Sequence, residues 1–209
     1  MIYVIITASI FNRYGLIDDA KRKERYLMAI RHTLLEIPSF MTPIIVENNG
    51  QRSTYLDHFE HFGKPVQVVY TDNNNLICQN KSTIEMTDIK DVIRMCGLQA
   101  KDMIIKITGR YRMVSSNFFR EVYDHEHKFD AFVKFYNVHD KVFDDNDSVL
   151  GCFAMRTIYF QLYPQQLMDN NPSAERAFAT YINRSIRAKK INHLDVECEF
   201  ANTNEQVIV

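Results

Sequence analysis

The chain has 209 residues, 46% of them hydrophobic, with 14 Phe and 11 Tyr. That is ample material for one core, and it excludes a disordered chain. Lys and Arg number 25 against 26 Asp and Glu, a net charge of −1, so the basic footprint of a DNA or RNA binder is missing. No apolar run approaches the ~20 residues of a membrane helix. The first ten residues lack the basic flank and cleavage site of a signal peptide, and six glycines are too few for a glycine-turn repeat array. Cys78, Cys96, Cys152 and Cys198 are scattered without C-x-x-C. They read as buried free thiols of an intracellular protein, with a cytoplasmic location expected.

Residues 2–10 form a nearly continuous apolar run, the mark of a strand buried on both faces. Asp18 or Asp19 then caps a helix whose Leu27, Ile30, Leu34 and Ile37 follow helical spacing, and Pro38 stops it. Thr42–Val46 is a second strand leaving through Glu47-Asn48-Asn49-Gly50. A short helix is predicted next, with Tyr55, Phe59 and Phe62 on one face and Gly63 at its end. Val66–Tyr70 is a third strand, leaving through Thr71-Asp72-Asn73-Asn74-Asn75.

Ser82-Thr83-Ile84-Glu85 reads as a capping box, followed by Ile89, Val92, Ile93 and Cys96 and stopped at Gly97. Met103–Ile107 makes a fourth strand. Ser115 or Ser116 caps a helix bearing Phe118, Phe119 and Val122. Ala131–Tyr136 and Gly151–Met155 are two further strands around an Asp-rich loop. Helices follow near 157–168 and 174–189, the second opened by Pro172-Ser173.

Alternating strands and helices build a mostly parallel α/β sheet of about six strands, with helices on both faces. Such sheets bind ligands at the carboxyl ends of their strands. The candidate positions are therefore four exits: Thr7-Ala8-Ser9 running on to Arg13, Glu47 to Gly50, Asp72 to Asn75, and Thr108 to Arg112. No G-x-G-x-x-G follows the first strand and no G-x-x-x-x-G-K-[ST] occurs, which excludes the common glycine-rich phosphate cradles. The same lack of glycines counts against a methyltransferase.

Three stretches carry a resemblance: Val4-Ile5-Ile6-Thr7 with its small-residue turn, Ile44 to Gly50, and Asn80-Lys81-Ser82-x-x-Glu85 followed by Lys106-Ile107-Thr108-Gly109-Arg110-Tyr111. In order and spacing they resemble GT-A glycosyltransferases. The likeness is to the branch found in bacteria and large viruses, including the capsid-glycan glycosyltransferases of large algal DNA viruses, and it covers most of residues 1–190. It implies a GT-A fold and a sugar transferred from a nucleoside-diphosphate donor, a UDP-sugar such as UDP-glucose, to an oligosaccharide or glycoprotein acceptor. It also implies that the first exit cups the base, and that a polar or acidic residue ending the second strand, Glu47 or Asn48, contacts base or ribose. A nucleotide half spans about 1–112 and an acceptor side about 113–209. The chain ends without a clear cap, as one domain of a longer polypeptide would.

The chemistry of a diphosphate leaving group calls for cations. Lys81 precedes a helix whose free N–H groups favour an anion; its alternative is a solvated lysine. Arg110 leaves the fourth strand on the same rim and suits bidentate phosphate contact; its alternative is a surface ion pair. Gly109 beside it lets backbone approach a ligand. Asp72 is placed to contact uracil or ribose, or simply to form a turn.

GT-A enzymes usually hold Mn or Mg with D-x-D at the end of the fourth strand, where this chain has Thr108-Gly109-Arg110. Asp145-Asn146-Asp147 is its sole D-x-D. That loop would face the active rim if the sixth strand runs antiparallel, and it is equally good turn chemistry. His193 matches the C-terminal metal histidine of several GT-A enzymes. Glu175 is the candidate base for an inverting reaction, or a first-turn glutamate serving the helix dipole. A non-catalytic sugar-nucleotide or glycan-binding module with the same sheet is the alternative function.

Overall fold

The structure is a computed structural model and describes residues 1–10, 19–50, 55–76, 81–164, 173–199 and 206–209. In chain order its elements are β1 (Ile2–Ala8), α1 (Asp19–Glu36), β2 (Thr42–Glu47), β3 (Glu60–His61), β4 (Lys64–Pro65), β5 (Gln67–Tyr70) and a 3-10 turn (Asn73–Asn75). Then come α2 (Lys81–Met95), β6 (Met103–Thr108), β7 (Arg112–Met113), α3 (Asn117–His125), β8 (Ala131–Val133), β9 (Cys152–Arg156) and α4 (Thr157–Leu162). The chain closes with α5 (Ala174–Ser185), β10 (Ala188–Lys190), β11 (Val196–Glu199) and β12 (Gln206–Ile208).

Seven strands form one sheet in the order β10-β8-β9-β6-β1-β2-β5. β1 pairs in parallel with β2 and β6, and β2 with β5. β9 alone is reversed, pairing antiparallel with both β6 and β8. The carboxyl ends of β1, β2, β5, β6, β8 and β10 therefore share one rim, and the loop that leads into β9 opens on the same side. β12, β11 and β7 make a small second sheet.

Alternation along the strands splits the core into two layers. Val4, Ile6, Ile45, Ile105 and Ile107 pack against Tyr26, Ile30 and Leu34 of α1 and Phe118 and Phe119 of α3. Ile5, Ile44, Val46, Ile104 and Phe153 pack against Met86, Ile89 and Val92 of α2 and Phe160 and Phe178 from α4 and α5. Cys152 and Cys198 are buried free thiols and Cys96 a half-buried one; Cys78 lies outside the described residues.

Two local predictions are corrected. The helix expected around Tyr55 to Phe62 is absent. Phe62 and Gly63 have φ of +48° and +71°, as a two-residue hairpin turn requires, and they join the β3–β4 hairpin. The 4-3 spacing of Tyr55, Phe59 and Phe62 mimics a helix face, yet Phe59 is buried and Phe62 is 69% exposed. Nor do Ser82 and Glu85 form a capping box: α2 begins at Lys81, so Ser82 already lies within it, and Glu85 is turned to a lysine of β6. Ser173, by contrast, caps α5 by accepting from the Arg176 amide at 3.2 Å. Asp18 and Pro172, offered as start signals for α1 and α5, lie outside the described residues.

Candidate active site

The rim of β1, β2, β5 and β6 brings most of the expected residues together. On the α1 face, Ala8 is buried and the Ser9 carbonyl accepts from Arg22 Nε at 2.6 Å. Arg22 also donates to the Tyr26 hydroxyl at 3.2 Å, and its guanidinium lies 5.2 Å from the Tyr26 ring. Arg22 and Tyr26 stand one turn apart on α1 and are both almost fully buried. Arg110 bonds the same phenol and stacks over Tyr111 at 5.2 Å. Burial opposes its charge, but the Tyr26 and Tyr111 phenols and the Glu85 carboxylate outweigh that and hold its pKa above the ordinary arginine value.

Gly109 is packed closely at the β6 exit. A Cβ there would stand 2.7 Å from the Thr7 carbonyl and 2.9 Å from the Tyr26 ring. Its glycine serves packing: the Gly109 amide donates to that same Thr7 carbonyl at 2.8 Å, drawing the β6 exit against β1 and α1.

Lys81 is exposed at the start of α2. Neighbouring protein, then the guanidinium charges of Arg22 and Arg110, lower its pKa, while Glu85 opposes the shift. Arg22, Lys81 and Arg110 thus face one another closely enough to interact. Beneath them Lys106, 3% exposed, donates to Glu85 Oε2 at 2.5 Å, Thr108 Oγ1 at 2.7 Å and the Leu150 carbonyl at 2.9 Å. Burial pushes the Glu85 carboxyl up, but Lys106 and Arg110 outweigh it and hold it below the usual carboxylate range. Lys106, Arg110 and Lys81 interact with the one Glu85 carboxylate, and Arg22 stands within range of Lys81, so cations outnumber the carboxylate they share at this corner of the rim.

Glu47 and Asn48 fall on opposite faces. Glu47 points to the α1 side, accepting from the Tyr55 hydroxyl at 2.5 Å and the Ile10 amide at 3.4 Å; burial raises its pKa. Asn48 points to the α2 side, where its amide donates to Asp88 Oδ2 at 2.9 Å. Thr71 Oγ1 and Asn73 Nδ2 donate to Asp88 Oδ1 at 2.7 and 2.8 Å. Thr7 Oγ1 and Asn48 Oδ1 are buried and meet no hydrogen-bond partner among the described residues. Asp72 is exposed beside Gly50, its Cβ 3.4 Å from where a glycine side chain would begin. Arg13 and Asn80 lie outside the described residues.

The remaining candidates occupy the other half of the rim. The reversed β9 does bring the Asp145–Asp147 loop to that side. Asp145 is paired with Lys190 at 2.7 Å, both side chains largely exposed. Asp147 accepts from the Ser148 amide at 2.8 Å, and burial, with Glu175 as a further contributor, raises its pKa. Glu175 accepts from Ser173 Oγ at 3.1 Å, inside its own helix cap. His193 is exposed past β10, within electrostatic range of Asp195, whose carboxylate is held by Ser115 and Asn117. Asp145, Asp147 and His193 are not gathered: among the described residues no three His, Cys, Asp or Glu side chains form a metal-holding group. The end of β6 supplies cations where a divalent ion would need oxygen donors, so its residues do not fit one.

Arg22, Tyr26, Glu85, Asp88 and Lys106 were not among the predicted site residues. The signal for Lys106 was a lysine inside an otherwise apolar strand, which demands a buried counter-ion.

This fold is that of the GT-A nucleotide-diphospho-sugar transferases. A Desulfovibrio desulfuricans G20 protein described as a nucleotide-diphospho-sugar transferase superposes with a TM-score of 0.56 at 7% identity, over 91% of this chain and 79% of that one. The mannosyltransferase PcManGT of Pyrobaculum calidifontis, solved with GDP-Man and Mn2+, gives 0.57 at 8% identity; 91% of this chain covers 54% of it. The galactosyltransferase LgtC, solved with donor and acceptor sugar analogs, gives 0.55 at 7%, over 91% and 73%. No protein-family model matches the chain. No curated protein matches it. Among the described residues no helix is long and apolar enough to cross a membrane.

Proposed function

We propose that the protein is a glycosyltransferase that moves a sugar from a nucleoside-diphosphate donor, a UDP-sugar, to a glycan acceptor. The observation that carries this is the corner formed by Arg22, Lys81 and Arg110 over the Lys106–Glu85 pair, at the carboxyl rim and beside the start of α2. Cations fixed where phosphate charge develops on the leaving group stabilise the transition state without reorganising. In this reading Lys81 and Arg110 hold the diphosphate, and Arg22 with Tyr26 sets the position of Arg110. Thr7 to Ser9, Glu47, Asn48 and Asp72 frame the nucleoside.

The acceptor side is the half of the rim that carries Asp147 and Glu175, and Glu175 is assigned to deprotonate the acceptor hydroxyl. The ligands of the similar structures, GDP-Man and donor and acceptor sugar analogs, support a donor and an acceptor meeting on this rim. The motif resemblance supports glycans of a viral capsid glycoprotein as the acceptor. Mn or Mg is the fold family's usual partner for the diphosphate.

One observation favours the binding-module alternative: Glu175 is engaged in its own helix cap. Incubation with a panel of UDP-sugars, with and without Mn, separates the two readings. UDP release by the wild type, lost in Glu175→Gln while UDP still binds, is the expected result. UDP binding with no turnover of any donor would support the module.

A further inference from the structure

A divalent ion on the diphosphate needs oxygen donors at the end of β6, and that place is built here for a different carrier of charge. The exit reads Thr108-Gly109-Arg110, and the carboxylate beside it, Glu85, is already committed. Its Oε2 accepts from Lys106 Nζ at 2.5 Å and from Thr108 Oγ1 at 3.5 Å, and Arg110 attracts it as well. Turning Glu85 to a metal would strand the Lys106 ammonium, 3% exposed, and a buried charge without its partner is strongly destabilising. The acidic groups on the other half of the rim are engaged too. Asp145 pairs with Lys190, and Asp195 beside His193 accepts from Ser115 and Asn117.

Cations stand where the ion would. The Tyr26 hydroxyl accepts from Arg22 at 3.2 Å and from Arg110, and Arg22 is anchored in turn on the Ser9 carbonyl. With the Tyr111 ring 5.2 Å from its guanidinium, Arg110 is oriented before any ligand arrives, yet it is only half-buried at the rim. A guanidinium keeps its proton in proteins, and one arginine with one lysine carries the charge of one divalent ion. Resting on the nucleotide-donor reading above, we infer that the transfer needs no divalent ion: Arg110 and Lys81 take the place of Mn or Mg on the leaving diphosphate, and Tyr26 is the positioning residue that holds Arg110 there. When the bond from the sugar C1 to the diphosphate breaks, its electron pair stays on the phosphate oxygen. The acceptor oxygen bonds C1, and its proton passes to Glu175 as assigned above. The charge gained by the phosphate then falls against cations already fixed in place.

The test is titration calorimetry with UDP, in EDTA and again with millimolar Mn or Mg, on the wild type, Arg110→Ala and Tyr26→Phe, with uridine as the control ligand. The wild type should bind UDP with affinities that agree within about threefold across these buffers, and UDP release from UDP-sugars should be equally indifferent to EDTA. Arg110→Ala should lose about tenfold in UDP affinity, and neither metal should restore it. Tyr26→Phe keeps the ring and removes the oxygen that two guanidiniums share. It should weaken UDP about fivefold in every buffer and leave uridine unchanged. Equal weakening of UDP and uridine is what a merely structural role predicts, and it overturns the assignment of Tyr26. Wild-type UDP affinity that rises with Mn or Mg by more than the stated margin overturns the inference, as does recovery of Arg110→Ala by either metal. Wild-type protein that binds UDP in none of these buffers would instead bring down the nucleotide-donor reading, and this inference with it.

Discussion

Lys106 and Glu85 show what single residues contribute here. A lysine ammonium buried in a sheet is costly unless paired, and Lys106 has Glu85, Thr108 and the Leu150 carbonyl around it. Glu85→Ala should therefore destabilise by about 3 kcal/mol in chemical denaturation, and adding Lys106→Met should recover most of that loss. If the double variant is no more stable than the single one, the pair is not what holds α2 to β6. Asp88 gives a pH signature. Burial pushes its carboxyl up to about 6 from 3.8, against the three donors it accepts. The folded state then holds that proton more tightly than the unfolded one, so stability falls as pH rises through the window between these values. The shift corresponds to about 3 kcal/mol. Melting temperature should drop from pH 4 to pH 6.5, and Asp88→Asn should flatten that drop; an unchanged slope contradicts the assignment. At this scale the sequence was partly legible. Arg110, Glu47 and Asn48 stand at strand exits and Lys81 at a helix start, positions that the sequence pattern marks out. Arg22, Tyr26 and Asp88 sit mid-helix, where a polar residue facing inward looks like one facing water until the register of the sheet is known.

α2 connects residue chemistry to architecture. It packs on one face of the sheet with Met86, Ile89, Val92 and Ile93, while Glu85 and Asp88, three residues apart, reach different strands. Glu85 ties β6, and Asp88 ties the exits of β2 and β5. The capping-box pattern correctly announced a helix but misassigned its glutamate, because an ion-pair partner 21 residues downstream outcompetes the local backbone. The helix predicted over the β3–β4 hairpin failed for a related reason: apolar spacing cannot report the positive φ of Phe62 and Gly63. Two glycines are fixed by what their elements approach. A methyl on Gly151 would stand 1.8 Å from the Tyr111 ring, and one on Gly109 would meet the Thr7 backbone carbonyl. Gly109→Ala should cost about 2 kcal/mol with no relief from side-chain variants. The cost of Gly151→Ala should shrink when Tyr111 is replaced by Ala. Equal penalties in both backgrounds would show that Tyr111 is not the obstacle.

At the level of the whole molecule, the strand-helix alternation was enough to read a mostly parallel sheet and its carboxyl rim. β9, whose direction the sequence pattern left open, runs antiparallel to both neighbours. What the pattern could not give was the division of that rim. Its β1–β2–β5–β6 half collects the cations and the amides of Asn48 and Asn73. Its β8–β10 half carries Asp145, Asp147, Glu175 and His193, without drawing the three metal candidates into one group. A net charge of −1 is thus compatible with a concentrated positive corner, since Lys81, Arg110 and Lys106 meet at Glu85 and Arg22 stands within range of Lys81. The central claim is that this corner grips a nucleoside diphosphate. Calorimetric titration of uridine, UMP and UDP into the wild type, Lys81→Ala and Arg110→Ala tests it most directly. Affinity should rise steeply from uridine to UDP in the wild type. Each substitution should cost UDP about tenfold or more, as loss of a charge-assisted contact does, and leave uridine unchanged. UDP binding no tighter than uridine, or equally tight in both variants, would contradict the account.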